Sequence, residues 1–319
     1  MNRDYGKHRH RASEYTTINF DDDPFEVTSA AVVPPTSEGD RPTDYGFISF
    51  GSGSSGNCAY LGTFQSGILI DAGVDIDQVF DALQRNGVRE QAVKGILLTH
   101  DHQDHVRYVY TCVRNHKHLR VYCTPKLMVG LLRRHNISKR IRDYHEAIYK
   151  EIPFKLAKME ITAFETSHDG SDNMGFSIQI GDRIFVVATD MGVITDRASY
   201  YMSQAHYLMI ESNYDRQMLD TGRYPEYLKA RVRGEKGHLD NKEAAAFVAE
   251  HYHEGLRNVF LCHLSNDNNR PEIARDTMAM ALQARGLTVG DGSNAPDQRG
   301  RDIQVYALPR FQSSHWFVL

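Results

Sequence analysis

The chain has 319 residues, 41% of them hydrophobic and 24% charged, with a formal net charge of −4. These proportions are ordinary for a soluble globular enzyme. No apolar run approaches the roughly 20 residues needed to cross a bilayer as a helix, so no membrane partner is expected, and the net charge does not advertise a nucleic-acid-binding chain.

In chain order, residues 1 to 44 are polar, with an acidic run at Asp21 to Asp23 and a Pro-Pro at 34–35. They lack helical or strand periodicity and an apolar secretory core, so a flexible N-terminal extension is expected. Order is expected from Tyr45. GFISFGSGSSGNCAYLG reads as strand, Gly/Ser turn and strand, and GILIDAG as a third strand. Ile76, Val79, Phe80 and Leu83 recur at helical spacing, with Gly87 where the helix would end. GILL (95–98) predicts a buried strand that runs out at Thr99 and His100. IFVVATD (184–190) and YLMIES (207–212) predict two more strands ending in polar residues. Residues 241–255 read as helix, 258–265 as strand and 271–286 as a helix with proline in its first turn. A last strand is expected at 305–309, leaving 45–309 as one domain and 310–319 as a C-terminal tail. Strands alternating with helices make this an α/β chain, and polar residues fall where the strands end, a common place for ligand sites.

Cys58, Cys112, Cys123 and Cys262 are widely spaced without a C-x-x-C pair. Buried reduced thiols and a cytoplasmic location are expected. Basic residues cluster at Arg114, Lys117 and Arg120, at Arg133, Arg134, Lys139, Arg140 and Arg142, and at Lys229, Arg231, Arg233 and Lys236. Each cluster is either a solvated face or a hold on phosphates.

The chemistry concentrates at Thr99-His100-Asp101-His102-Gln103-Asp104-His105. Three imidazoles and two carboxylates in six positions are too polar for a core, and together they suit Zn2+, Mn2+ or Fe. Alternate side chains share one side as the chain leaves the strand, and the turn swings the later ones toward a second centre.

This H-x-H-x-D-H pattern resembles the signature of the metallo-β-lactamase superfamily. The resemblance implies a four-layer αββα sandwich holding two divalent ions at the edge of its two sheets. It also implies three later ligands, and the chain supplies His168 in ETSHDG, Asp190 closing IFVVATD, and His263 in FLCHLS. On that pattern His100, His102 and His168 hold one metal, Asp104, His105 and His263 hold the other, and Asp190 bridges them. Many β-lactamases carry cysteine where Asp190 stands, and diiron relatives carry glutamate in place of His102, so the expected chemistry is displacement at phosphorus by a metal-bridging hydroxide.

GSGSSGNCAYLG, LIDAG, LLTHDHQDH, TSHD, ATDMGVITDR, ESNYD, GRYP, GHLDN and CHLSNDNN narrow the resemblance to the YycJ/WalJ group, in one order from about Phe47 to Arg285. That group implies a 5′ to 3′ DNA exonuclease linked to mismatch repair. GHLDN is either a helix-capping loop containing an incidental histidine or the seat of a catalytic proton donor, His238, as in the similar loop of tRNA-processing nucleases. Histidine's ordinary pKa suits that role, and Glu211 is its expected carboxylate neighbour. The loop from Ser52 to Asn57 lacks the spacing of a nucleotide-binding P-loop. It is a tight hairpin, or Ser54, Ser55 and Asn57 donate to a substrate phosphate; Asn213, Asn266 and Asn268 are further candidates to line the cleft. The competing functions are hydrolysis of RNA, a small phosphodiester, a thioester or a lactam, and a non-catalytic module with structural metal. The seven candidate ligands include no cysteine, which argues against a closed structural zinc site.

Overall fold

The computed structural model describes residues 45–293, 298 and 300–319, and the expected extension at 1–44 lies outside them. Fifteen strands are found among the described residues. In chain order they are β1 (Gly46–Gly51), β2 (Cys58–Gly62), β3 (Gly67–Ile70), β4 (Val93–Leu97), β5 (Val121–Cys123), β6 (His145–Ala147), β7 (Phe154–Leu156) and β8 (Met159–Glu165). Then follow β9 (Met174–Ile180), β10 (Arg183–Ala188), β11 (Tyr207–Glu211), β12 (Asn258–Cys262), β13 (Val289–Gly290), β14 (Ile303–Ala307) and β15 (Phe317–Val318). They form two sheets, ordered β15-β1-β2-β3-β4-β5-β6 and β13-β14-β12-β11-β10-β9-β8-β7.

Alternation along the strands of the second sheet explains the layering. In β10, Phe185 and Val187 join the core shared with the first sheet, while Val186 and Ala188 join a second core against helices. The same division separates Tyr207 and Met209 from Leu208 and Ile210, and Phe260 and Cys262 from Val259 and Leu261. Successive side chains of a strand point to opposite faces, so a sheet covered on both faces needs a continuous apolar run. Phe47 of β1 lies 5.0 Å from Phe185 and 4.7 Å from Phe260 between ring centroids, joining the two sheets face to face. Helices Asp196–Met202, Asn241–Glu250 and Pro271–Gln283 pack on the outer core of the second sheet. Helices Ile76–Arg85 and Pro125–Arg134 pack into the core of the first. The layers are those of the expected αββα sandwich.

Two sequence expectations need correction. The segment 310–319 is not a tail: Phe317 pairs with Phe47, and Trp316 is buried where a Cβ on Gly46 would clash with its indole. The helix expected over 241–255 ends at Glu250, with His251 at its C-cap. The four cysteines are buried and unpaired. No helix among the described residues is long and apolar enough to cross a membrane.

Candidate metal centre

Strands β3 and β4 run parallel in the first sheet, as do β10, β11 and β12 in the second. Parallel strands present their carboxyl ends at one edge, and the polar residues that follow those ends meet there. Asp71 follows β3, His100 follows β4 by three positions, Asp190 follows β10 by two, Glu211 closes β11 and His263 follows β12. His102 caps a short helix, Gln103–Val106, whose first turn turns Asp104 and His105 inward. Three of these strand-end residues have left-handed backbone, Asp71 at φ 59°, Asp190 at φ 52° and His263 at φ 53°. Asp and His are among the residue types that tolerate this region best outside glycine.

The side chains fall into two triads. Ligand-type atoms of His100, His102 and His168 lie within 4.8 Å of one another, and so do those of Asp104, His105 and His263. His168 Nε2 is 3.2 Å from His102 Nδ1, and His263 Nε2 is 3.3 Å from Asp104 Oδ2. Asp190 lies between the triads, its Oδ2 3.4 Å from His105 Nε2 and its Oδ1 3.7 Å from His168 Nε2 and 3.9 Å from His100 Nε2. Nitrogen ligands 2.0–2.1 Å from a tetrahedral ion would sit about 3.3 Å apart, close to these separations.

Each imidazole is held from behind. His105 Nδ1 donates to Asp71 Oδ2 at 2.7 Å, His263 Nδ1 to Glu211 Oε1 at 3.0 Å, His168 Nδ1 to the Gly237 carbonyl at 2.8 Å, and His100 Nδ1 to Thr99 Oγ1 at 3.0 Å. His102 Nε2 faces Asp169 Oδ1 at 3.0 Å. Such contacts fix the tautomer and turn the other nitrogen toward a metal. His100 Nε2 is buried with no hydrogen-bond partner among the described residues. An orphaned buried nitrogen is costly, and a divalent cation would satisfy it. The donor set, its spacing and this orphan all fit such an ion.

Electrostatics separates the triads. Burial and the neighbouring His168 push His102 down to about 4, and burial with His105 lowers His100. Burial opposes protonation of His105 as well, yet Asp190, Asp71 and Asp104 outweigh it and raise the ring to about 9. Burial would raise Asp104, but His105 and His263 hold it down to about 2. Asp190 is held well below the usual carboxylate range against its burial, by His263 and His105 above all.

His238 stands beside this group. Its Nδ1 donates to Glu211 Oε1 at 2.7 Å, the oxygen also facing His263, while Glu211 Oε2 accepts from the Met191 and Leu239 backbone N–H groups at 2.8 and 3.2 Å. Glu211 is fully buried and His238 partly exposed. Asp240 caps the following helix by accepting from Lys242 N–H, so the loop both caps a helix and presents His238.

The expected substrate contacts fare differently. Asn57 is buried, its amide nitrogen 3.2 Å from Asp104 Oδ2 and 2.9 Å from His105 Nε2, and Asn213 is buried and donates to the His263 carbonyl at 2.7 Å. Both brace the triads instead of facing the cleft. Asn268 is buried against Ser265, whereas Ser54, Ser55 and Asn266 are exposed. In the third basic cluster, Lys229 is buried and donates to the Asp220 carbonyl, Arg231 binds Asp169 at 2.7 Å, and Arg233 pairs with Asp220. Those three are committed to the protein, whereas Lys236, Arg133, Lys139, Arg140 and Arg142 are exposed. Asp71 and Asp169 were not singled out from the sequence as site residues. The signal for Asp71 was present, an aspartate directly after a wholly apolar strand, much as Asp190 follows the apolar run of β10 by two positions.

The family model for the beta-lactamase superfamily domain matches residues 67–263, from the start of β3 to His263. The chain belongs to that superfamily and is a metal-dependent hydrolase of the metallo-β-lactamase fold. Among named relatives it is 31% identical to exodeoxyribonuclease YycJ of Bacillus anthracis over 252 residues, 79% of this chain and 94% of the relative. It is 30% identical to exodeoxyribonuclease WalJ of Streptococcus pneumoniae serotype 2 over 240 residues, 75% and 88% of the respective chains. The metallo-β-lactamase fold protein YhfI from Bacillus subtilis superimposes with a TM-score of 0.60 at 14% identity, covering 86% of this chain and 99% of that one.

Proposed function

We propose that the chain is a two-metal DNA exonuclease working 5′ to 3′, with His100, His102 and His168 holding one divalent ion, Asp104, His105 and His263 the other, and Asp190 shared. The observation that carries this is the convergence of both triads on Asp190 beside the His238–Glu211 pair. Zn2+ and Mn2+ both suit the imidazole and carboxylate donors, and Fe is compatible. When bound, such a pair supplies Lewis-acid neutralisation of the phosphoryl oxygens and lowers the pKa of water.

The chain's own residues do the remaining work. Glu211 accepts from His238 Nδ1, which fixes the ring and leaves Nε2 to deliver a proton to the departing sugar oxygen. Burial would raise the Glu211 carboxyl, but His238 and the hydrogen bond from His263 hold it below its ordinary value. Asp71, Thr99 and the Gly237 carbonyl hold three ligand rings in place before substrate arrives. Exposed cations of the Arg133 to Arg142 stretch, with Lys236, hold flanking phosphates. The names of the YycJ and WalJ relatives support DNA as the polymer.

The test is to incubate purified protein plus Mn2+ with duplex DNA labelled at either end, structured RNA and bis-p-nitrophenyl phosphate. The expected result is early release of label from 5′-labelled duplex and a shrinking ladder from 3′-labelled duplex. Cleavage of the small diester alone would overturn the assignment.

A further inference from the structure

Beyond the second triad, the Gly/Ser loop carries the site out to an exposed rim built from three distant parts of the chain. The buried end of the loop is Asn57, against Asp104 and His105. Two residues earlier the loop is exposed, and Arg107, just past the helix that carries those two ligands, donates from its guanidinium to the Ser55 carbonyl at 3.1 Å. The Ser55 hydroxyl in turn faces the Arg310 carbonyl at 3.5 Å. Arg310 donates to the Ser265 carbonyl, two residues after His263. Ser52 N–H donates to the Pro309 carbonyl at 3.1 Å, and the Ser52 hydroxyl accepts from His263 N–H at 2.8 Å. The segment 309–310 is therefore tied to the same backbone that positions a candidate ligand.

Phe311, next in the chain, is 70% exposed, and the Arg310 guanidinium carbon lies 5.8 Å from its ring centroid. A large aromatic ring held at the surface beside an arginine, on the lip of a hydrolytic site, serves no packing purpose. It has the composition of a single-strand platform, where bases stack on aromatics and cations take the backbone.

Resting on the nuclease assignment above, we infer that Phe311 stacks a nucleobase next to the scissile phosphate while Arg107 and Arg310 bind the adjoining phosphates. The rim would thus hold the strand in register as each nucleotide is removed.

The experiment compares kcat/KM for an end-labelled oligonucleotide with kcat/KM for bis-p-nitrophenyl phosphate, which is too small to reach the rim, in the metal-loaded full-length protein. Phe311→Ala is expected to lower the ratio on the order of tenfold, with Phe311→Trp restoring it. Arg107→Ala should also lower the ratio and reduce the log-log salt slope for oligonucleotide binding by about 0.7 to 0.9. A wild-type protein active on oligonucleotides whose ratio is unmoved by Phe311→Ala overturns the rim alone. Equal losses on both substrates, with no rescue by tryptophan, overturn it too. A wild-type protein that cleaves only the small diester sinks the nuclease assignment and the rim together.

Discussion

The two triads use the same chemistry on different mounts. Around His100, His102 and His168 the supports are a threonine hydroxyl, a backbone carbonyl and Asp169, which is 31% exposed and shared with Arg231. Around Asp104, His105 and His263 the supports are the buried carboxylates Asp71 and Glu211, with the Asn57 amide against both Asp104 and His105. Buried carboxylates cannot be replaced by water, whereas an exposed one can. The first triad is thus braced largely by neutral groups, and the second by anions that are also part of the fold, since Asp71 accepts from Thr99 N–H at 2.8 Å. Electrostatic protection should therefore be deepest at the second triad, and damage to its supports should be the harder to absorb.

Breaking the element common to both triads has the largest expected effect. Asp190→Asn should lower metal content at both, measured by elemental analysis after gel filtration, with a loss of turnover beyond the ~10–100-fold typical of an outer-shell change. Retention of a full metal complement would show that Asp190 is not shared. Next comes a contrast within the second triad's surroundings. His238→Ala should cut phosphodiester turnover by roughly 10²–10⁴-fold while leaving metal content intact. Glu211→Gln, which weakens the support of both His238 and His263, should lose turnover and some metal together. Equal metal loss in the two variants would mean that His238 is itself a ligand. The smallest effects separate the mounts. Asp71→Asn should weaken metal binding by ~10–100-fold, and Asp169→Asn by no more than the low end of that range, as read by competition with a chelator. The reverse order would refute the contrast between the triads.

Much of this was legible before any coordinates. Strands covered on both faces, such as IFVVA and YLMIE, announce themselves as unbroken apolar runs, and the polar residue closing each run marks the edge where the site forms. The 100–105 loop is legible because its donors are consecutive. His168, Asp190 and His263 are spread over 96 positions of chain and become recognisable only through their order after that loop. Other features were hidden for identifiable reasons. β15 is two residues long, too short for any period to show, and is secured by Trp316 and Phe317 packing into the core. Asn57 and Asn213 looked like substrate donors because residue type alone does not say whether an amide faces the cleft or the scaffold behind it. Asp71 was overlooked because its partner, His105, is 34 residues away.

The left-handed backbone at Asp71, Asp190 and His263 has a consequence for substitution at those positions. Conformations of this kind cost on the order of 1–3 kcal/mol each at residues other than glycine, and three of them sit at the ends of core strands. Such a cost persists only where the surrounding structure holds the backbone in place, here the two packed sheets. Glycine at Asp190 or His263 would relax the main chain at the same stroke that removes a candidate metal donor, so relief of the backbone and loss of the centre would come together.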